Sequence, residues 1–180
     1  GLAWTTQTSS ISFASGQSFY GNREVWIEGA TWYMLQEEGL ASSIWKTYLY
    51  TSSDGLTWSI ANSGNPLTSL QQGTGTYGGP RFATIDATLT PKFGGVYHLW
   101  YHAATTPGST SDIYHATSTD RINWTTNGPV LTHTGTGFEI DQVAGPVIVV
   151  VSGTAYLYYD GDDNAGEAAK IGLATAPATP

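Results

Sequence analysis

Apolar and polar residues along this chain fall into short alternating runs and do not recur every three or four positions. Stretches such as Glu24-Val25-Trp26-Ile27, Trp32-Tyr33-Met34-Leu35, Tyr97-His98-Leu99-Trp100-Tyr101 and Tyr156-Leu157-Tyr158-Tyr159 are rich in β-branched and aromatic residues. Between them lie Asp54-Gly55, Asn65-Pro66, Gly94-Gly95, Asn127-Gly128 and Ser152-Gly153, dipeptides that punctuate strands with turns. The pattern predicts an all-β protein. It also repeats. Thr51-Ser52-Ser53-Asp54-Gly55-Leu56-Thr57-Trp58 matches Thr117-Ser118-Thr119-Asp120-Arg121-Ile122-Asn123-Trp124 position for position. A third copy is split across the termini, from Lys170-Ile171-Gly172-Leu173-Ala174-Thr175 round to Gly1-Leu2-Ala3-Trp4. Trp4, Trp58 and Trp124 are 54 and 66 residues apart, and the wrap from Trp124 back to Trp4 spans 60.

A repeat of about 60 residues holding four short strands has the size of one β-propeller blade. The sequence therefore predicts a single β-propeller domain over 1–180. Its blade repeats fall at approximately 8–61, 62–127 and 128–180 plus 1–7, with the N-terminal strand closing the C-terminal blade. Inner strands are expected near 23–28, 81–86 and 145–151, and second strands near 31–37, 95–102 and 154–159. Third strands are expected near 45–51, 112–117 and 169–175, with outer strands near the three tryptophans. Propellers usually carry four to eight blades. Three repeats thus imply either a homodimer that completes the ring as six blades or a piece of a larger propeller. The Ser-x-Asp-Gly-x-x-Trp unit reads as structural: Asp accepts from backbone N–H groups further on, Gly permits positive φ, and Trp packs between blades. Arg121, standing where the first repeat has Gly55, reads as a surface turn.

Composition narrows the function. Only 11% of the 180 residues are charged, the net charge is −8 and Lys and Arg number six, which argues against a nucleic-acid partner. The longest apolar run, Pro146 to Val151, is far short of a membrane-spanning helix. With no cysteine, disulfides and thiolate zinc sites are excluded. The Ser/Thr/Gly/aromatic-rich, Lys-poor composition suggests an extracellular or virion-associated protein.

First and second strands of a blade are antiparallel, so the start of one and the end of the next share a face. Starts of inner strands bring Arg23 and Glu24, Arg81, and Glu139 and Asp141 to that face. Ends of second strands add Glu37, His102 and Asp160 at equivalent positions. In a chain this poor in charge, such convergence points to a functional face. Each residue also has a plainer reading. Arg23 and Glu24 can pair at a strand end, Glu37-Glu38-Gly39 can be a solvated turn, and His102 can be a hydrogen-bonded, half-buried histidine. His98, His115 and His133 read as structural. The run Asp160-Gly161-Asp162-Asp163-Asn164 sets oxygen ligands at alternate positions, as calcium loops do. Its glycine comes one place late at Gly166 and Ile171 replaces the twelfth-position Glu, so an acidic hairpin loop is the expected reading and no metal site is assigned.

The order of a Gly-Pro-led inner strand, then Tyr156-Leu157-Tyr158-Tyr159, then Ile171-Gly172-Leu173-Ala174-Thr175, then Asp54-Gly55-x-x-Trp58 resembles the five-bladed propeller glycoside hydrolases (families 43, 62, 32, 68 and 130). The resemblance covers essentially the full chain. It implies a sugar pocket lined by the starts of inner strands, and hydrolysis of a glycosidic bond by paired carboxylates, for which Glu24 and Asp141 are the candidates. Arg23, Glu37, Arg81, His102, Glu139 and Asp160 are then the expected substrate contacts. This sequence departs from the pattern at Gly78-Gly79-Pro80 and Ala144-Gly145-Pro146, which keep the proline but lack a Glu two residues before it. Arg81 also stands where a carboxylate is expected. The alternative is a non-catalytic, lectin-like carbohydrate-binding propeller.

Overall fold

The computed structural model describes residues 3–14, 16–40, 44–70, 81–84, 92–104, 110–162 and 170–178. Alternating, β-branched-rich tracts become strands grouped into three propeller-like blades. The first blade is β1 (Phe19–Glu28), β2 (Thr31–Leu40), β3 (Ile44–Ser52) and β4 (Ser59–Ile60), antiparallel in that order. In the second, β5 (Arg81–Thr84) pairs with β7 (Val96–Ala104), followed by β8 (Ser111–Ser118) and β9 (Thr125–Leu131), with β6 (Lys92–Phe93) also on β7. The third is β10 (Gln142–Val151), β11 (Thr154–Asp162) and β12 (Lys170–Pro177). Inner strands β10 and β5 touch through two parallel pairs, Ile148 with Ala83 and Val149 with Thr84. The inner, second and third strands fall within a few residues of the expected spans.

Apolar layers join the blades. Trp26, Leu35 and Leu49 of the first blade meet Tyr97, Leu99, Tyr101, Tyr114 and Trp124 of the second, all buried. Ile113 and Trp100 of the second blade meet Val143, Leu157 and Tyr159 of the third. Leu67 and Leu70, in the connection between β4 and β5, fill the first of these layers. Side chains on alternate strand positions thus serve opposite faces of each sheet, and each interior face is covered by the next blade.

The two Ser-x-Asp turns fold alike. Asp54 Oδ1 accepts from the N–H groups of Leu56 and Thr57 (2.8 and 2.7 Å), and Asp120 Oδ1 accepts from Ile122 and Asn123 (2.9 and 2.7 Å). These bonds hold both carboxyls below the usual carboxylate range. Trp58 Nε1 donates to Gly55 O and Trp124 Nε1 to Arg121 O. Gly55 and Arg121 adopt φ of +72° and +71°, a left-handed conformation that costs a non-glycine residue about 1 kcal/mol or more.

Arg121 is more than the expected surface turn. Its guanidinium donates to Glu28 Oε2 (2.9 Å) and to the Tyr97 hydroxyl oxygen (2.6 Å), and lies over the Tyr33 ring, 4.4 Å from its centroid. Glu28 also accepts from Trp26 Nε1 and from the Tyr97 hydroxyl, each at 2.7 Å. The strained turn is therefore clamped to the first blade. We expect Arg121→Ala, which keeps the strain and loses the clamp, to destabilise more than Arg121→Gly by about 1 kcal/mol. Urea denaturation of the two variants measures that order.

The N-terminal segment departs from expectation. Residues 3–9 form no strand, and among the described residues β12 pairs only with β11. Among the described residues, 3–7 thus do not make the predicted closure of the C-terminal blade. The stretch that follows lies on the first blade, as the 8–61 repeat implies: Ser10 N donates to Leu56 O (2.7 Å) and Trp58 N to Ser10 O (2.9 Å). Ile11 and Ala14 pack with Met34, Tyr48, Tyr50, Trp58 and Ile60. That outer face of the first blade is apolar and would otherwise be wet, and the hydrophobic gain of covering part of it explains where Ile11 and Ala14 go.

Candidate functional site

The expected site residues lie at the end of the blades where inner strands begin and second strands finish. In the first blade the β1–β2 register breaks between Tyr20 and Arg23. At this bulge Asn22 N donates to Glu37 Oε2 (2.9 Å), and a Cβ on Gly21 would stand 2.2 Å from that same oxygen. In the third blade the β10–β11 register breaks between Ala144 and Val147. There a Cβ on Gly145 would stand 2.5 Å from Asp160 Oδ2. The first and third blades therefore each use a bulge whose glycine makes room for a carboxylate at the end of the second strand.

The second blade places His102 at the corresponding strand end, and it reaches across to the third. Gly145 N–H donates to His102 Nδ1 (3.3 Å). An accepting Nδ1 puts the proton of the neutral imidazole on Nε2. Asp160 is exposed, His102 half-buried, and the two meet at Gly145. Arg81, the first residue of β5, pairs with Trp100. The parallel pairing of Ala83 with Ile148 sets Arg81 near the level of Pro146 along the strands.

Other expected residues are used differently. Glu37 and Glu38 are buried strand residues, 4% and 0% exposed, and not a solvated turn. Glu38 accepts from Ala14 N (2.9 Å) and from the Tyr50 hydroxyl. Burial raises its pKa, against the lowering effect of those two bonds. Glu139 is also buried, and its carboxylate accepts from the Tyr159 hydroxyl. Burial, reinforced by that carboxylate, pushes the Tyr159 phenol up to about 12. Arg23 is exposed opposite Gln36, and Glu24 is half-buried opposite Leu35. Asp141 N donates to Asp162 O (3.0 Å) just ahead of β10.

Glu24 and Asp141 do not occupy matching levels. Glu24 lies three residues after the bulge glycine of its inner strand, whereas Asp141 lies four residues before the equivalent Gly145. At about 3.3 Å per residue this offsets them by roughly 20 Å along the strand direction. Paired glycosidase carboxylates stand about 5–9.5 Å apart.

Gln36, absent from the sequence reading, is buried between the strands and donates from Nε2 to Asn22 O (3.2 Å) and Glu37 O (2.7 Å). A buried amide beside a bulge satisfies carbonyls that the broken ladder leaves open. Its signal in the sequence was the polar run Gln36-Glu37-Glu38 inside a strand pattern. Among the described residues no group of three or more His, Asp or Glu side chains could hold a metal ion. Asp163 and Asn164 of the acidic run lie outside the described residues, and Asp162 Oδ2 accepts from Gln142 Nε2 (3.3 Å).

No protein-family model matches the sequence, and no curated protein matches it. Solved structures do resemble the fold, and they are glycoside hydrolases. One is Zg3597, a family 117 glycoside hydrolase from the marine bacterium Zobellia galactanivorans (TM-score 0.70, 16% identity, 95% of this chain and 57% of that one). Another is a glycosyl hydrolase from Bacteroides ovatus (TM-score 0.57, 17% identity, 81% and 46%). A third comes from work on the GH130 family of mannoside phosphorylases, which contains glycoside hydrolases that target β-1,2 mannosidic linkages in Candida mannan (TM-score 0.56, 16% identity, 88% and 47%). At these identities the likeness is one of fold, and the chain spans about half the length of these structures.

Proposed function

We propose that this chain is a carbohydrate-active propeller unit that binds an oligosaccharide or polysaccharide at the end where its inner strands begin. Asp160 and His102 make the central polar contacts, with exposed Arg23 at the rim and Arg81 contributed from the start of the second blade's inner strand. The observation that carries this reading is the convergence of Asp160 and His102 on Gly145, within a fold that the chain shares with glycoside hydrolases. A carboxylate accepts from two sugar hydroxyls at once, and an imidazole adds a directed partner. Neighbouring backbone positions are fixed by the bulge, so the groups are held before ligand arrives and little ordering entropy is lost.

Hydrolysis by the chain itself is the second reading, favoured by the glycoside hydrolases among the fold's neighbours. It requires a second carboxylate within about 10 Å of the first. Native mass spectrometry with a pooled oligosaccharide panel separates the readings. Intact bound sugar, weakened at least about tenfold by Asp160→Asn or His102→Ala (about 1.4 kcal/mol or more) and little changed by Glu24→Gln or Asp141→Asn, is the expected outcome. Shortened oligosaccharides that disappear in Glu24→Gln or Asp141→Asn would establish the hydrolase reading with its original pair. A protein that engages no sugar would sink both.

A further inference from the structure

Asn127 is the one asparagine of this chain that glycine follows. The pair Asn127-Gly128 reads as a turn, yet it lies inside β9. In the pairing of β8 with β9, Tyr114 stands opposite Pro129 and Ala116 opposite Thr126. Between these pairs β9 carries one residue more than β8, so Asn127 and Gly128 together face His115 as a bulge. Gly128 has φ of +85°, and no atom lies within 4 Å of where its Cβ would be. Asn127 is exposed.

The Asn127 side chain also begins a polar row. Its Nδ2 can only donate, so His115 Nδ1, 3.1 Å away, accepts and carries no hydrogen. The proton of neutral His115 is then on Nε2, which donates to His98 Nδ1 at 3.1 Å. One donor on Asn127 thus sets the tautomers of two histidines, beside the stacked Trp100 ring.

We infer that Asn127 is a site of spontaneous deamidation, and that the reaction reverses the first link of this row. Gly128 N attacks Asn127 Cγ. A five-membered succinimide closes as the Cγ–Nδ2 bond breaks, and ammonia leaves with the Gly128 amide proton. Water then opens the ring, at Cγ to give aspartate or at the main-chain carbonyl to give iso-aspartate. One water is consumed and one ammonia released. The missing Cβ of Gly128 leaves its nitrogen open to attack, and an exposed bulge bends where a regular ladder resists. The aspartate product presents acceptor oxygens where the row had a donor. His115 Nδ1 then has to carry a hydrogen, and the new negative charge favours a fully protonated imidazole. His98, the ionisable group facing His115 from β7, still accepts at Nδ1.

Peptide mapping by mass spectrometry tests the site, with the whole chain held folded or in urea in the same warm, mildly alkaline buffer. In the folded protein the Asn127 peptide is expected to gain about one dalton, ahead of Asn22, Asn62 and Asn123, which bulkier residues follow. Its rate should lie within about tenfold of the rate in urea. Asn127→Gln, whose ring closure needs six atoms, stays unchanged over the same time. An Asn127 that stays intact in the folded protein while the chain in urea converts would overturn the proposal. Asn127→Asp, the defined product, tests the reversal. Its His115 imidazole resonances should titrate at least about one pH unit above those of wild type. An unmoved His115 titration would overturn that half. The inference is independent of the carbohydrate reading, since His102, Gly145 and Asp160 are untouched.

Discussion

Replacing Gly161 with alanine is expected to cost the fold about 3 kcal/mol. Gly161 is a buried residue of β11, opposite Val143 and Lys170. A Cβ there would stand 2.6 Å from the backbone oxygen of Phe138 and 2.5 Å from its ring. A side-chain tip could swing aside at small cost, but a backbone carbonyl can move only with its segment. Phe138 belongs to a short 3-10 turn, Gly137–Glu139, which the glycine allows to lie flat on the strand. Pushing it away strips Phe138 from the layer between the second and third blades and pulls Glu139 from the Tyr159 hydroxyl. Overpacking typically costs about 1–3 kcal/mol, and a lost buried carboxylate–hydroxyl bond adds about 1–3. Urea denaturation reads the sum. A loss below about 1 kcal/mol would mean that the turn is not held as described.

Acidification from pH 7 to 4 is expected to destabilise the protein through His115 by about 2 kcal/mol. His115 lies in a cluster with His98 (Nδ1 to Nε2, 3.1 Å), Asn127 (3.1 Å to Nδ1) and the stacked Trp100 ring, 4.6 Å between centroids. Burial, with the neighbouring His98 second, brings its pKa down to about 4. A histidine depressed in the folded state binds its proton first when unfolded. The stability it contributes is therefore complete above about pH 6.5 and is lost as pH falls towards 4. The full shift corresponds to about 3.4 kcal/mol, and partial solvent access reduces it to the figure given. The depressed carboxyls of Asp54 and Asp120 lose their contribution only below this window. Thermal melts of wild type and His115→Gln across the range isolate the effect: the variant should lose most of the pH slope. Equal slopes would show that the cluster does not set it.

Much of the architecture was legible because it is written locally. Strand alternation located the inner, second and third strands, and the Ser-x-Asp turns are closed by residues two and three positions apart, so their repetition marked the blades. What escaped the reading depends on partners distant in the chain. Glu38 is buried because Ala14 and Tyr50, 24 and 12 residues away, supply its donors, and local polarity alone made it look solvated. Arg121 looked like a surface turn because Glu28, its partner, lies 93 residues earlier. Residues 1–7 were assigned to the C-terminal blade by repeat arithmetic, yet 3–7 form no strand and are exposed. At the candidate site the strand-end positions of His102 and Asp160 followed from the repeat. The two bulges did not.

The account rests most directly on where a sugar touches the chain. Backbone amide spectra recorded during titration with the best-binding oligosaccharide of the panel would locate it. The Gly145 N–H is bonded to His102 Nδ1, so this amide reports the candidate site with no substitution needed. The account predicts saturable shifts centred on Gly145, His102 and Asp160, absent in Asp160→Asn. Saturable shifts clustered elsewhere, with Gly145 unmoved, would contradict it.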